Sequence, residues 1–455
     1  MSSNITFGSV CSGIEASQVA FKSFGFKQLW SSEIDEFPSK ILKEHYPNVP
    51  NVGDMINIPD LIKNKIIDAP DLLCGGTPCQ AFSLAGLKKG LHDERGLLTM
   101  KFIEIANSID KIRIEKGEKE SIVLWENVEG VLSDKSNAFG NFLAGLAGLD
   151  KEIKVSKWSK SGYLSGITRN IAWRVLDSKF FGLPQQRKRL FVIAGGKDFN
   201  PDHVLFEIDN KDVTIALKIK EDKIETLNLF NTEIKNKKAK KIFFKNNIKC
   251  EVFRNYSDCL YSAYGTKWNG NAASYNGSLF VSENDRLRRF NPLECERLMG
   301  FEDNYTKIDG YSNTARYKAL GNSWAVPVVK WIGNQIHQYK NSSSSQNFSE
   351  WKKLLKAEKH KDYFLYLLNK IEKISSIKFL NTSASPNNSL DYDIKSIIEP
   401  GYTPENLYIS LKALEGIIRR KEKRKIKMNP ELEKIMKKAL SDNKSKPTIV
   451  EKETV

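Results

Sequence analysis

Histidine is scarce in this chain, five residues in 455, and cysteine nearly as scarce at six. No CxxC pair occurs among Cys11, Cys74, Cys79, Cys250, Cys259 and Cys295, and no histidine stands at zinc-ligand spacing from any of them. A metal site is therefore not expected. Six cysteines spread over this length make no disulfide scaffold. No apolar run approaches the roughly 18–20 residues that cross a bilayer. The start, MSSNITFGSVCSG, has no charged segment followed by an apolar one, so a cytoplasmic protein with no membrane partner is the expectation.

Positive charge, by contrast, is plentiful. Lys and Arg number 71 against 55 Asp and Glu, for a net charge of +16 and a pI near 9.3. Such a balance favours a polyanionic partner, nucleic acid above all, although Lys-, Asn- and Ile-rich composition also arises from AT-rich coding. With 40% hydrophobic and 28% charged residues, the chain reads as globular and long enough for more than one domain.

Along the first part, strand-like runs (ITFGSV, QLWSSEI, PDLLCGG, SIVLWENV, RLFVIAGG) alternate with helix-like ones (GIEASQVAFKSFG, FPSKILKEHY, IPDLIKNKII). That alternation predicts an α/β fold with a mostly parallel sheet covered on both faces, whose ligands bind beyond the carboxyl ends of the strands. Gly13, Glu33, Asp54, Cys79 and Glu126 each follow or close a strand candidate. The expected division is a catalytic and cofactor-binding domain over 1–196, a smaller recognition region over 197–286, a return to the catalytic domain over 287–340, and a linker with a basic helical extension over 341–455. The linker is NSSSSQNFS. The extension carries half of the chain's net positive charge, and its cluster RRKEKRKIK reads as a solvated helix face or as a nucleic-acid contact.

Three positions suggest an adenosine-containing cofactor. Gly13 sits at a strand-to-helix turn, where backbone N–H groups are open to a ligand. Glu33 stands twenty residues on, the spacing at which an acid accepts from ribose hydroxyls. Asp54 closes a further strand candidate, NVPNVGD. The turn lacks GxGxxG, which counts against a dinucleotide. In DLLCGGTPCQAFS, Cys74 lies within the apolar run and Cys79 follows a proline just past it, so a structural thiol and a nucleophile are both open readings.

The turn SVCSGIEAS, then PCQ, ENV, QQRKR and GNSWAVPV, in that order, resemble the DNA cytosine-5 methyltransferases over about 5–195 and 286–335. The resemblance implies a Rossmann-like methyltransferase fold, S-adenosylmethionine as cofactor, and C5 of a flipped cytosine in duplex DNA as acceptor. It makes Cys79 the nucleophile, Glu126 the acid at cytosine N3, and Arg187 and Arg189 the arginines beside the base, with Arg189 at O2. It places Ser12, Gly13, Ile14, Glu33, Asp54, Pro78, Asn322 and Ser323 at the cofactor, and Gln80, Asn127 and Gln185 on the substrate side. The first motif departs from the family: Glu15 and Ala16 stand where glycines are common, and Glu15 would meet the cofactor's ammonium or cap the helix. Asn291 replaces a common threonine, while Arg288 and Glu294 match. Tyr264, Lys267, Trp268 and Asn269 are candidates for target recognition. A monomer is expected, with a cognate restriction endonuclease as a functional partner. The alternatives are a tRNA methyltransferase on the same framework, disfavoured by Thr77 before Pro78, and a DNA-binding relative without turnover. An amino-methylating enzyme would need a DPPY-like loop, which the sequence lacks.

Overall fold

The computed structural model describes residues 5–77, 94–209, 241–266, 273–341, 350–369, 371–375, 378–401 and 403–444. The chain divides into two compact units. The first takes Met1–Gly182, Arg187–Ile234 and Ser323–Asp391; the second takes Leu183–Gln186, Lys235–Asn322 and Tyr392–Val455. Among the described residues no helix is long and apolar enough to cross a membrane.

In the first unit, strands β1 (Thr6–Val10), β2 (Lys27–Ser32), β3 (Leu72–Gly75) and β4 (Ile122–Val128) pair in parallel in the order β2-β1-β3-β4. Strands β5 (Ser161–Ser165), β6 (Asn170–Asp177) and β7 (Lys188–Gly195) continue the sheet antiparallel, with β7 against β4. The sheet is thus mixed, and its parallel half is the half that the alternating sequence pattern describes. β3 is buried throughout and β4 up to its last residue, as expected of strands covered on both faces. One face packs on helices Ile58–Lys63, Glu94–Glu115 and Ala138–Leu146 through Leu73, Val123, Trp125, Phe102 and Phe142. Trp125 and Phe142 stack with centroids 4.1 Å apart. On the other face, Phe7 meets Phe21 of helix Ala16–Phe21 edge-on, and helix Val326–Asn341 packs on that helix. Strand β8 (Glu207–Asp209) lies outside this sheet.

The second unit contains an antiparallel sheet in the order β12-β11-β10-β9, from β9 (Ile242–Lys245), β10 (Ile248–Val252), β11 (Phe280–Glu283) and β12 (Arg286–Arg289). Arg288 is fully buried, ion-paired with Glu283 and, at 2.8 Å, with Glu294. Asn291 works where threonine is common because it caps helix Pro292–Met299. Its side chain accepts from Glu294 N–H at 2.8 Å, and the Glu294 carboxylate accepts from Asn291 N–H at 2.8 Å. Residues 287–322 therefore group with the second unit and not with the first: β12 pairs with β11, and Arg288 takes its carboxylates from there.

The C-terminal region also differs from the single helical extension expected. Its first part forms β13 (Glu358–Lys359), β14 (Phe364–Leu368), β15 (Ile371–Lys373) and β16 (Phe379–Asn381). β14 pairs with β5, extending the large sheet to nine strands, and β16 pairs with β8. Its second part adds helices Leu411–Lys423 and Pro430–Lys444 to the second unit. Their Leu414, Ile417, Leu432 and Met436 share one core with Phe253, Tyr275, Phe280 and Leu287. An overall charge count hides this, yet the apolar residues recur at helical spacing.

Candidate functional site

The candidate residues of the first unit collect at the carboxyl ends of β1–β4. After β1 the chain turns through left-handed backbone at Cys11, Gly13 and Glu15, with φ of 49°, 55° and 58°. Gly13 N–H donates to Glu33 Oε2 at 2.7 Å, which ties the turn to the end of β2. Glu33 Oε1 accepts from the N–H groups of Ile34 and Asp35, both at 2.8 Å. A carboxylate has about four acceptor sites, so these three bonds leave room for one more donor. Ser12 Oγ accepts from Ser32 N–H at 3.0 Å, and Ile14 is buried beneath the turn. Asp54 is exposed and caps a short turn, accepting from Ile56 N–H at 3.0 Å.

Burial, with the charges of Glu33 and Asp54, pushes the Cys11 thiol up to about 12. The two carboxylates thus face the same corner, and Cys11 is no nucleophile there. Ile34, 73% exposed directly beside Glu33, was not singled out from sequence. It is an apolar surface on which a purine ring can lie.

Glu15 occupies the N-cap position of helix Ala16–Phe21 and turns its carboxylate inward. It is fully buried and accepts from Ser9 Oγ at 2.8 Å, Gln28 Nε2 at 2.8 Å and Ser17 Oγ. Burial raises its pKa against those bonds. The turn is held from beneath by this buried carboxylate.

A second cluster forms where β3 and β4 end and β7 begins. Glu126 is buried on β4, with Arg189 Nε 3.0 Å from its Oε1. Burial pushes the Glu126 carboxyl upward, while Arg189, Arg187 and the donating indole N–H of Trp324 pull it down; burial prevails. Arg187 is buried, donating from Nη2 to Ser323 C=O at 2.7 Å, and its backbone N–H donates to Asp177 Oδ1 at 3.1 Å.

Asn127 donates from Nδ2 to Thr77 C=O at 3.0 Å, and Trp125 Nε1 donates to Thr77 Oγ1 at 3.0 Å. Gly76 passes so close that a Cβ there would sit 3.0 Å from Glu126 Oε2 and 3.1 Å from Trp324 Nε1. Gly76, Thr77 and Trp324 were missed in the sequence. The only available signals were the doubled glycine of LLCGGTPC and the aromatic inside GNSWAVPV. Cys74 is fully buried in β3, with its thiol raised well above the ordinary range by burial.

Other expected site residues fall elsewhere. Gln185 is fully buried in the second unit. Its Nε2 donates to Leu298 C=O at 2.9 Å and its Oε1 accepts from Leu260 N–H at 2.8 Å, so both ends of the amide hold backbone. Tyr264, nominated for target recognition, is buried; its hydroxyl donates to Leu279 C=O and accepts from Phe290 N–H, both at 2.8 Å. Asn322 is exposed at the end of helix Asn313–Asn322, and Ser323 is buried. Pro78, Cys79 and Gln80, and likewise Lys267, Trp268 and Asn269, lie outside the described residues. Among the described residues no cluster of metal-ligating side chains occurs.

The model of the C-5 cytosine-specific DNA methylase family matches residues 5–338. The DNA N-6-adenine-methyltransferase of Escherichia phage P1 is 32% identical over 459 residues, covering 73% of this chain and 61% of that protein, so the chain spans less than two thirds of that relative. The type II methyltransferase M.HhaI of Haemophilus parahaemolyticus is 27% identical over 361 residues, covering 76% of this chain and 97% of its own. M1.ScrFI of Lactococcus lactis subsp. cremoris is 30% identical over 318 residues, with coverages of 68% and 72%.

Proposed function

The chain belongs to the C-5 cytosine-specific DNA methylase family, and from that premise we propose which of its residues transfer a methyl group from S-adenosylmethionine to C5 of a cytosine flipped out of duplex DNA. The observation that carries the reading is Glu126, buried and raised, beside Arg189 and under the strand that leads into Cys79. Cys79 stands two residues after the anchored Thr77 in the sequence.

C5 of cytosine is a poor nucleophile, because the ring is electron-poor and aromatic. A Cys79 thiolate adding to C6 breaks the aromaticity and leaves C5 enamine-like; the S–C6 bond forms as the C5–C6 π pair is released toward the ring. Negative charge grows on N3 and O2. Protonated Glu126 donates to N3 and Arg189 holds O2, each such donor contributing about 3 kcal/mol. In the free protein Arg189 faces Glu126. When the guanidinium turns to O2, the carboxylate loses its largest opposing charge, which favours the protonated acid the step requires. S-adenosylmethionine, when bound, supplies the electrophilic methyl group. Loss of the C5 proton to a base or to water then lets the Cys79 sulfur leave with its electron pair and restores the aromatic ring.

The residues fit that cofactor. Glu33 has an acceptor site for a ribose hydroxyl, Asp54 suits an adenine amino group, and Ile34 offers an apolar face between them. Ser12, Gly13 and Ile14 form the turn beneath; Pro78, Asn322 and Ser323 complete the assignment. Gln80 and Asn127 serve the substrate side, Asn127 by holding the loop. Gln185 orients its own segment. The second unit, with Lys267, Trp268 and Asn269, reads the target. The enzyme acts as a monomer in the cytoplasm, on nucleoid DNA, with a restriction endonuclease of the same specificity as its functional partner.

Incubation with duplex DNA containing 5-fluorocytosine and S-adenosylmethionine should give a denaturation-resistant protein–DNA adduct, absent with Cys79→Ala. Mass spectrometry of DNA methylated by the protein should find 5-methylcytosine. N6-methyladenine in its place, as the name of the phage P1 relative would have it, or methylation confined to tRNA, refutes the assignment.

A further inference from the structure

We infer that the turn joining the two C-terminal helices, around Arg419–Lys427, is a second DNA-binding surface that grips backbone phosphates beside the target-reading segment. This rests on the reading of the protein as acting on duplex DNA. The surface lies beyond residue 338, where the match to the family model ends.

The helices Leu411–Lys423 and Pro430–Lys444 have opposite needs on their two faces. Leu414, Ile417, Leu432 and Met436 are buried in the core of the second unit, which fixes the pair against the four-stranded sheet. The end of the first helix and the turn after it carry Arg419, Lys423, Arg424, Lys425 and Lys427, all exposed, with only Glu422 as an acid among them. Other cations of the pair have acids: Lys421 and Lys437 meet Glu433 at 3.0 and 2.7 Å, and Lys438 meets Asp285 at 2.9 Å. The five cations of the turn pair with no acid among the described residues. Solvated lysines on a helix face usually alternate with acids. Here the unpaired cations collect in one place.

The backbone adds an independent observation. The first helix ends in a Schellman turn, with Ile426 N–H donating to Lys421 C=O at 3.0 Å and Lys425 N–H to Glu422 C=O at 3.2 Å. The left-handed position of that motif strongly favours glycine, yet Lys425 occupies it at φ 51°. A cation is kept where glycine would be less strained. The turn is also tethered to the sheet. Asn429 N–H donates to Tyr275 C=O at 2.9 Å and Asn429 Nδ2 to Phe253 C=O at 3.1 Å. Tyr275 follows closely on the segment that contains Lys267, Trp268 and Asn269. The cations therefore stand at the root of the segment assigned to target reading, in the same unit, where the phosphates flanking a recognised sequence would run.

The test compares the full-length protein with Arg419→Gln/Lys423→Gln/Arg424→Gln/Lys425→Gln. A control, Lys111→Gln/Lys116→Gln/Lys119→Gln/Lys151→Gln, removes as many exposed charges from the first unit. Binding to a fluorescent duplex without a target site is followed against salt. Each phosphate that is no longer neutralised should lower the slope of log affinity against log salt by about 0.9. The turn variant is expected to show a slope shallower by about two to four and to bind roughly tenfold or more weakly at 0.1 M salt, with turnover at saturating DNA unchanged; the control should keep the wild-type slope. Equal slopes for the wild type and the turn variant overturn the inference, as do equal decreases in variant and control. Lys425→Gly serves as a second variant with the fold relaxed: its melting temperature should rise while its slope falls by about one. If the slopes behave as expected but no 5-methylcytosine forms with any protein, the phosphate surface stands and the catalytic assignment falls.

Discussion

Asn127 donates to the Thr77 carbonyl at 3.0 Å, so the residue after the proposed acid holds the strand end that leads to the proposed nucleophile. Acid and nucleophile loop are thereby positioned by adjacent residues of one strand. Replacing Asn127 by alanine should lower kcat about a hundredfold, the scale of a misplacement near 1 Å, with KM for cofactor little changed. Steady-state kinetics on a methylatable duplex measures this, and an unchanged kcat would show that the loop is held by other means.

The indole of Trp324 donates to the Glu126 carboxylate and so favours its charged form. Trp324→Phe keeps the bulk and removes the donor. The Glu126 pKa, already raised by burial, should rise further. The proposed step needs the protonated acid, so activity should be lost as pH climbs through that pKa, and the variant's alkaline limb should move to higher pH. A merely structural role for Trp324 would lower the whole pH–rate profile without moving the limb.

Glu15 is a buried carboxyl whose folded-state pKa lies above its unfolded value. The folded form therefore binds the proton more tightly. Its contribution favours folding below the ordinary carboxylate range and turns unfavourable as pH rises through the raised pKa. Glu15→Gln should flatten melting temperature against pH on that side and be at least as stable at pH 8. Destabilisation of about 2 kcal/mol or more at pH 8, the scale of an unsatisfied buried group, would mean that the charged carboxylate is needed by Ser9, Ser17 and Gln28.

A chain ending at Asn341 retains the family-matched region and should nevertheless fail to fold. Arg174 is fully buried and donates to the carbonyls of Ser383 at 2.6 Å and Ser385 at 2.7 Å. Truncation leaves Arg174 its ion pair with Glu207 but removes both of those acceptors, typically a loss of about 1.5–3 kcal/mol for each hydrogen bond to a charged group, and bares β5 along the edge that β14 covers. Soluble expression and a cooperative thermal transition from residues 1–341 would contradict this.

Much of the catalytic half is readable from the chain. Strand-then-helix alternation places Gly13, Glu33 and Glu126 at strand ends, because side-chain periodicity is local and survives without tertiary information; the strand expected before Asp54 is reduced to a single bridge at Asn51, and Asp54 caps a short turn instead. Tyr264 and Gln185 look like surface residues by polarity. They are core residues because carbonyls and N–H groups remote in sequence satisfy them. The C-terminal strands escape notice for a similar reason: β14 is short, and what makes it a strand is the edge of β5, distant in the chain.

The order of motifs, the reacting groups and the excess of positive charge belong to the sequence alone, since they depend only on which residues occur and how they are spaced. Tertiary structure decided that Glu126 is the buried, raised carboxyl while Asp54 stays exposed, that Glu15 faces inward, and that the tail divides between two units. Protonation and pairing answer to desolvation and to neighbours brought from far along the chain, and only folding assembles those surroundings.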